Sequence, residues 1–167
     1  MPIHELRNYR SRGARALVLL HEKGVRELLP VWHRALASNI RLPATDDPSY
    51  ASLDTLFHHA LRASRGYMTW LCEKLALPDP KIDEVPEPDR MTLEAESYME
   101  HLLARWRVPL ADVEDSRLDA IHETRWGESM SLGGMLEHAA MHPLRHRFQL
   151  EELLEAQGRG PGSDYGK

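Results

Sequence analysis

Four stretches of the chain repeat apolar residues at intervals of three and four, and none alternates apolar with polar residues over the length of a strand. That restriction points to an all-α fold. The first stretch runs from Ser11 to Leu42 and contains "ARALVLLHEKGVRELLPVWHRAL", interrupted by Gly24 and by Pro30, where a kink is expected. The second runs from Pro48 to Leu75, with Asp47 as its cap and Pro48 in the first helical position. The third starts at Thr92, with Glu94 and Glu96 in its first turn, and ends at Pro109 or just short of it. The fourth begins near Ser131 and stops at Gly158. Between the second and third lies "LALPDPKIDEVPEPDR", whose four prolines and several acids predict an extended polar crossover. "HETRWGESMSLGG", 122–134, is expected to hold a short extended pair around Trp126 and Gly127. Four amphipathic helices with one long crossover describe a four-helix bundle, in which sites are built from inward-facing side chains.

At 167 residues the chain is long enough for one domain, read as 1–158, with a flexible tail at 159–167. A formal charge of -5 gives no electrostatic reason to expect nucleic acid. The start "MPIHELRNYRSRG" lacks the apolar core of a signal peptide, and "ALVLL" is far below the roughly 20 residues that cross a bilayer. No membrane partner and a cytoplasmic location are expected. The lone cysteine, Cys72, lies in an amphipathic segment and is expected to be an apolar filler. Trp32, Trp70 and Trp106 are expected in the core, whereas Trp126 is placed to cover a pocket before the last helix.

Histidine is in excess, with ten in the chain, and three of them, His138, His142 and His146, follow one another at helical intervals. The apolar positions of that helix cluster in one direction; His146 lies about 35° from it, His142 about 75° and His138 about 115°. A pair of imidazoles at i, i+4 presents two nitrogens to one metal ion. His142 and His146, nearer that direction, form the better pair, and a kink at Pro143 would rotate the turn that carries His138 away from them. Interior histidines satisfied by carboxylates or backbone oxygens are the alternative. On the second helix His59 stands about 115° from the apolar centre, among Ala63, Gly66 and Trp70, which permit close approach of another helix. His58, at about 145°, shares its side with Asp54, Arg62 and Arg65 and is expected to face solvent.

Other chemistries fail on spacing. "HEKGV" and "HETRW" lack the second histidine of a zincin, no Glu-x-x-His pair of a di-iron bundle is present, and there is no C-x-x-C, P-loop, G-x-S-x-G or G-x-G-x-x-G. His4, His21, His33, His101 and His122 are expected to be surface or capping residues.

The segment "SLGGMLEHAAMHPLRHRFQL", 131–150, resembles the last helix of the DinB/YfiT-like superfamily. Its signature there is a threonine or serine, leucine and glycine, followed by H-x-x-x-H-R-x-Q, which His142, His146, Arg147 and Gln149 fill. "LFHHALRASRGYMTWL", 56–71, is similar to the second helix of that family, with His59 in the histidine position. Phe148, Arg145 and Pro143 depart from the usual pattern. The resemblance implies a four-helix bundle of up-down-down-up topology that binds one divalent metal ion through His59, His142 and His146.

Three protein nitrogens leave an open position on a metal, as catalytic sites do. Three imidazoles suit zinc, nickel, copper or iron. The resemblance implies a metal-dependent S-transferase that uses a low-molecular-weight thiol, such as bacillithiol or mycothiol, and an electrophile. A non-catalytic metal-binding bundle and a metal-dependent hydrolase are the alternatives. Arg147 and Gln149 are expected either to orient the site and bind an acidic group, or to form a salt bridge and a hydrogen bond to a ligand. Dimers are common in the family, and Phe148, about 165° from the core direction, marks the expected homodimer contact.

Overall fold

A computed structural model describes residues 9–158. The chain is mostly helical, and among the described residues the long elements are α1 (Arg12–Ala37), α2 (Leu53–Lys74), α3 (Met91–Trp106) and α5 (Leu132–Gly158). A single-turn helix, α4 (Asp115–Leu118), and a small hairpin of β1 (Ile121–Glu123) and β2 (Ser129–Ser131) stand before α5. The tail expected at 159–167 lies outside the described residues. No described helix is long and apolar enough to cross a membrane.

The helix starts follow local chemistry. Ser11 accepts from the Ala14 amide at the head of α1. The expected start of the second helix at Pro48 is instead a 3-10 turn, Pro48–Tyr50, capped by Asp47. The helix proper begins three residues later, where Ser52 and Thr55 exchange side-chain and backbone hydrogen bonds in a capping box. Thr92 is likewise not a cap: a turn at Pro88–Arg90 runs straight into α3, which ends at Trp106. Ser131 accepts from the Gly134 amide and so opens α5 where the sequence places it.

α1 and α2 are each ended by a left-handed residue. α1 stops at Ala37, short of the expected Leu42, because Asn39 turns to φ 50° and the Ile40 amide reaches back to the Ala35 carbonyl. α2 stops in the same way at Lys74, with Ala76 at φ 51° and the Leu77 amide on the Cys72 carbonyl at 2.8 Å.

One apolar core joins the four long helices. Trp32 stacks on Phe57 with ring centres 4.6 Å apart and donates its indole N–H to the Leu53 carbonyl. Trp106 donates to the Ser64 carbonyl. Trp32, Trp70, Trp106 and Cys72 are buried as expected, and burial pushes the Cys72 thiol up to about 11. His21 corrects the surface expectation: it is fully buried, stacked on Trp106 at 3.7 Å, with Nε2 3.0 Å from the Ser64 hydroxyl. The crossover is not wholly polar either, since Ile82 and Val85 are buried and the Asp83 carbonyl accepts from the Tyr98 hydroxyl.

α5 packs on both α1 and α2, and α2 also packs on α3. The close approach of α1 to α5 depends on Gly24. A Cβ there would stand 3.1 Å from Cγ of Pro143 and 3.3 Å from Cγ of Leu144. Both helices run through their prolines, Pro30 and Pro143, unbroken.

Candidate metal centre

Burial along α5 follows the angular order of the histidines. His146 is 1% exposed, His142 5%, and His138 is half-buried. Across the helix pair, half-buried His59 of α2 meets them, its Nε2 3.2 Å from Nε2 of His142. One nitrogen from each of His59, His142 and His146 lies within 4.8 Å of the other two, close enough for all three to bind a single metal ion. His138 stands outside the group, its ring 6.1 Å from that of His142, whereas His142 and His146 are 4.7 Å apart. His58 is half-buried and also outside it.

The hydrogen-bond partners set the tautomers. The Gln149 carbonyl oxygen accepts from the Tyr50 hydroxyl at 3.0 Å and also stands 3.0 Å from Nδ1 of His146. An acceptor oxygen requires a donor there, so Nδ1 carries the proton and Nε2 of His146 keeps its lone pair. That Nε2 is buried without a hydrogen-bond partner. Nδ1 of His59 is 3.2 Å from the Ser49 hydroxyl, which leaves its Nε2 for the cluster. His142 has only its Nε2 contact with His59, because its Nδ1 is also buried without a partner.

These observations fit a cation. Two nitrogens each about 2.0 to 2.1 Å from a tetrahedral zinc stand about 3.3 Å apart, and the His59–His142 pair already has nearly that separation. The buried lone pair of His146 has nothing else to satisfy it. All three imidazoles favour the neutral, ligating form: burial, reinforced by neighbouring histidines, lowers His142 to about 2 and His146 to about 4. His59 is lowered by burial too, against the opposing pull of Asp47.

Sequence reasoning missed Ser49 and Tyr50, which orient His59 and, through Gln149, His146. Both lie in a 3-10 turn, Pro48–Tyr50, where the sequence predicts the first turn of a helix. It also missed the pair of Tyr67 and His138, where the hydroxyl stands 3.1 Å from Nε2 and the Tyr67 ring meets that of His142 edge to face at 5.6 Å. Arg147 proves to be a helix tie, paired with Glu27 of α1. Trp126, at the hairpin tip, is 51% exposed and stands beside His138 and Tyr67.

Space adjoins the cluster on two sides. A cavity of about 460 Å³ is lined by His59, Tyr67 and Trp126 among others, and a second of about 420 Å³ by His138, His142 and Phe148. No family model matches the chain, and neither the curated proteins nor the solved structures give a match.

Proposed function

We propose that the chain is a DinB-like metalloprotein in which His59, His142 and His146 hold one divalent ion, zinc, nickel or iron, and that the site transfers a small-molecule thiol to an electrophile. The convergence of three imidazole nitrogens beside two cavities carries this reading, because it supplies three donors and leaves room for an exogenous fourth. A divalent ion bound there lowers the pKa of a thiol that reaches it, so that the nucleophilic form is present at neutral pH.

The protein supplies the rest. Ser49 and Gln149 fix the imidazole orientations, and the buried flanks of His142 and His146 exclude water from that side of the centre. In the transfer the thiol loses its proton to solvent, sulfur bonds to the electrophilic carbon, and the leaving group departs with its electron pair. The up-down-down-up order belongs to the same proposal: the crossover from Leu75 to Arg90 joins α2 and α3, which touch each other, and a connection of that length suits parallel neighbours. A homodimer does as well, supported by Met141 and Phe148, both exposed on α5.

The test is thiol consumption by metal-loaded protein with a generic electrophile such as 1-chloro-2,4-dinitrobenzene. Turnover that disappears in His142→Ala supports S-transfer. Full metal loading without turnover on any thiol favours a purely structural metal, and ester cleavage in the absence of thiol favours a hydrolase.

A further inference from the structure

Three observations converge on the groove that begins at His59 and runs along α2 beneath the hairpin tip. The first is Gly66 on its floor. Glycine inside a helix costs about 1 kcal/mol relative to alanine, and it is usually retained where a neighbour comes close. At Gly66 an added Cβ meets nothing within 4 Å, so no part of the described chain accounts for it. The second is Trp126, half exposed at the hairpin tip, which lines the same space and offers it aromatic surface. The third is charge. Arg62 of α2 and Arg125 of the hairpin line the groove in a chain of net charge -5. Arg62 has no ion-pair partner among the described residues, and Arg125 has only Glu73 at 4.0 Å, both well exposed. Arg65, the remaining cation there, is committed to Glu84 and the Ile82 carbonyl. Arg145 of α5 flanks the cluster from the other helix, and both it and Arg62 act electrostatically on His59.

We propose that this groove binds a small molecule with a flat apolar body and an oxyanion, the body lying over Gly66 against Trp126 and the oxyanion held by Arg62 and Arg125. His59 lines the same groove, so a molecule bound there lies beside the centre and the groove supplies one substrate of the S-transfer; in that respect it rests on the function proposed above. Guanidinium forks match carboxylate or phosphate oxygens, and in a groove open to water they discriminate by charge and geometry more than by area.

The experiment is calorimetric titration of the zinc-loaded chain with 4-mercaptophenylacetate, its methyl ester, 4-hydroxyphenylacetate and phenyl phosphate. At least one anion is expected to bind about tenfold or more tightly than the ester, with the carboxylate and phosphate arms telling which oxyanion is preferred. Arg62→Gln combined with Arg125→Gln abolishes the preference. Gly66→Leu, which has open space to enter, weakens every ligand about tenfold or more while zinc content and melting temperature stay at or above the parent values. Equal binding of acids and ester, a preference that survives the double substitution, or undiminished binding to Gly66→Leu overturns the proposal. The oxygen analogue separates it from the thiol chemistry: anion preference with 4-hydroxyphenylacetate but no thiol consumption sinks S-transfer and leaves the groove standing.

Discussion

Nε2 of His59 and Nε2 of His142 face each other 3.2 Å apart across the seam between α2 and α5. Two neutral imidazoles meet that way only if one donates a proton to the other or both share a cation, and the buried, unpartnered Nε2 of His146 beside them favours the cation.

The orientation of His146 depends on a relay from the turn before α2. Gln149→Leu removes the acceptor for Nδ1 and is expected to weaken zinc binding about 10 to 100-fold, as loss of such supporting hydrogen bonds does. Tyr50→Phe, which removes one step more distant, has a smaller effect in the same direction. Competition against a chromogenic chelator measures both, and an unchanged affinity in Gln149→Leu contradicts the relay.

Gly24 brings α1 against α5 at Pro143 and Leu144, within the turn that separates His142 from His146. Gly24→Leu forces the helices apart and is expected to cost about 1 to 3 kcal/mol in urea unfolding of the metal-free protein. Zinc affinity falls with it, because the spacing of α5 is disturbed.

His21 stays neutral inside the fold, with burial lowering it to about 3, while in the unfolded chain it titrates near 6.5. Between those values the unfolded state binds more protons, so stability falls as pH falls from 6.5 toward 3. His21→Phe loses the contact with Ser64 and is expected to be about 1 kcal/mol less stable at pH 7. The deficit should shrink by up to about 1.4 kcal/mol per pH unit below 6.5. Parallel pH profiles for the two proteins would contradict a neutral buried His21.

Ala76 adopts φ 51° to end α2, a conformation that costs a residue with a Cβ about 1 kcal/mol. Ala76→Gly is expected to raise stability by about 0.5 to 1 kcal/mol in thermal unfolding, with metal binding unchanged.

Much of this site was legible in the sequence because it lies on regular helices. Angular position along α5 ranked His146, His142 and His138 in the order of their burial. The small residues beside His59 were a poorer guide, because at Gly66 an added Cβ meets nothing within 4 Å and no helix comes close there. The same test, applied to α1, would have found His21, which falls three residues after Val18 and four before Val25 on the buried face. Ser49 and Tyr50 were not accessible in that way. Their place over the cluster depends on a 3-10 turn and on how α5 docks, and a helical wheel describes neither. The cap at Ser52 rather than Asp47 was a choice between two adequate capping residues, settled by the reciprocal bond with Thr55.

The most direct measurement is the metal content of untagged protein, followed by zinc titration of the chelator-stripped chain and of His59→Ala, His142→Ala and His146→Ala. About one equivalent of metal per chain is expected in the parent, with affinity reduced at least about 100-fold in each variant whose fold is intact by circular dichroism. Full metal retention in both His59→Ala and His142→Ala, or no metal binding by the parent at all, would contradict a three-histidine centre.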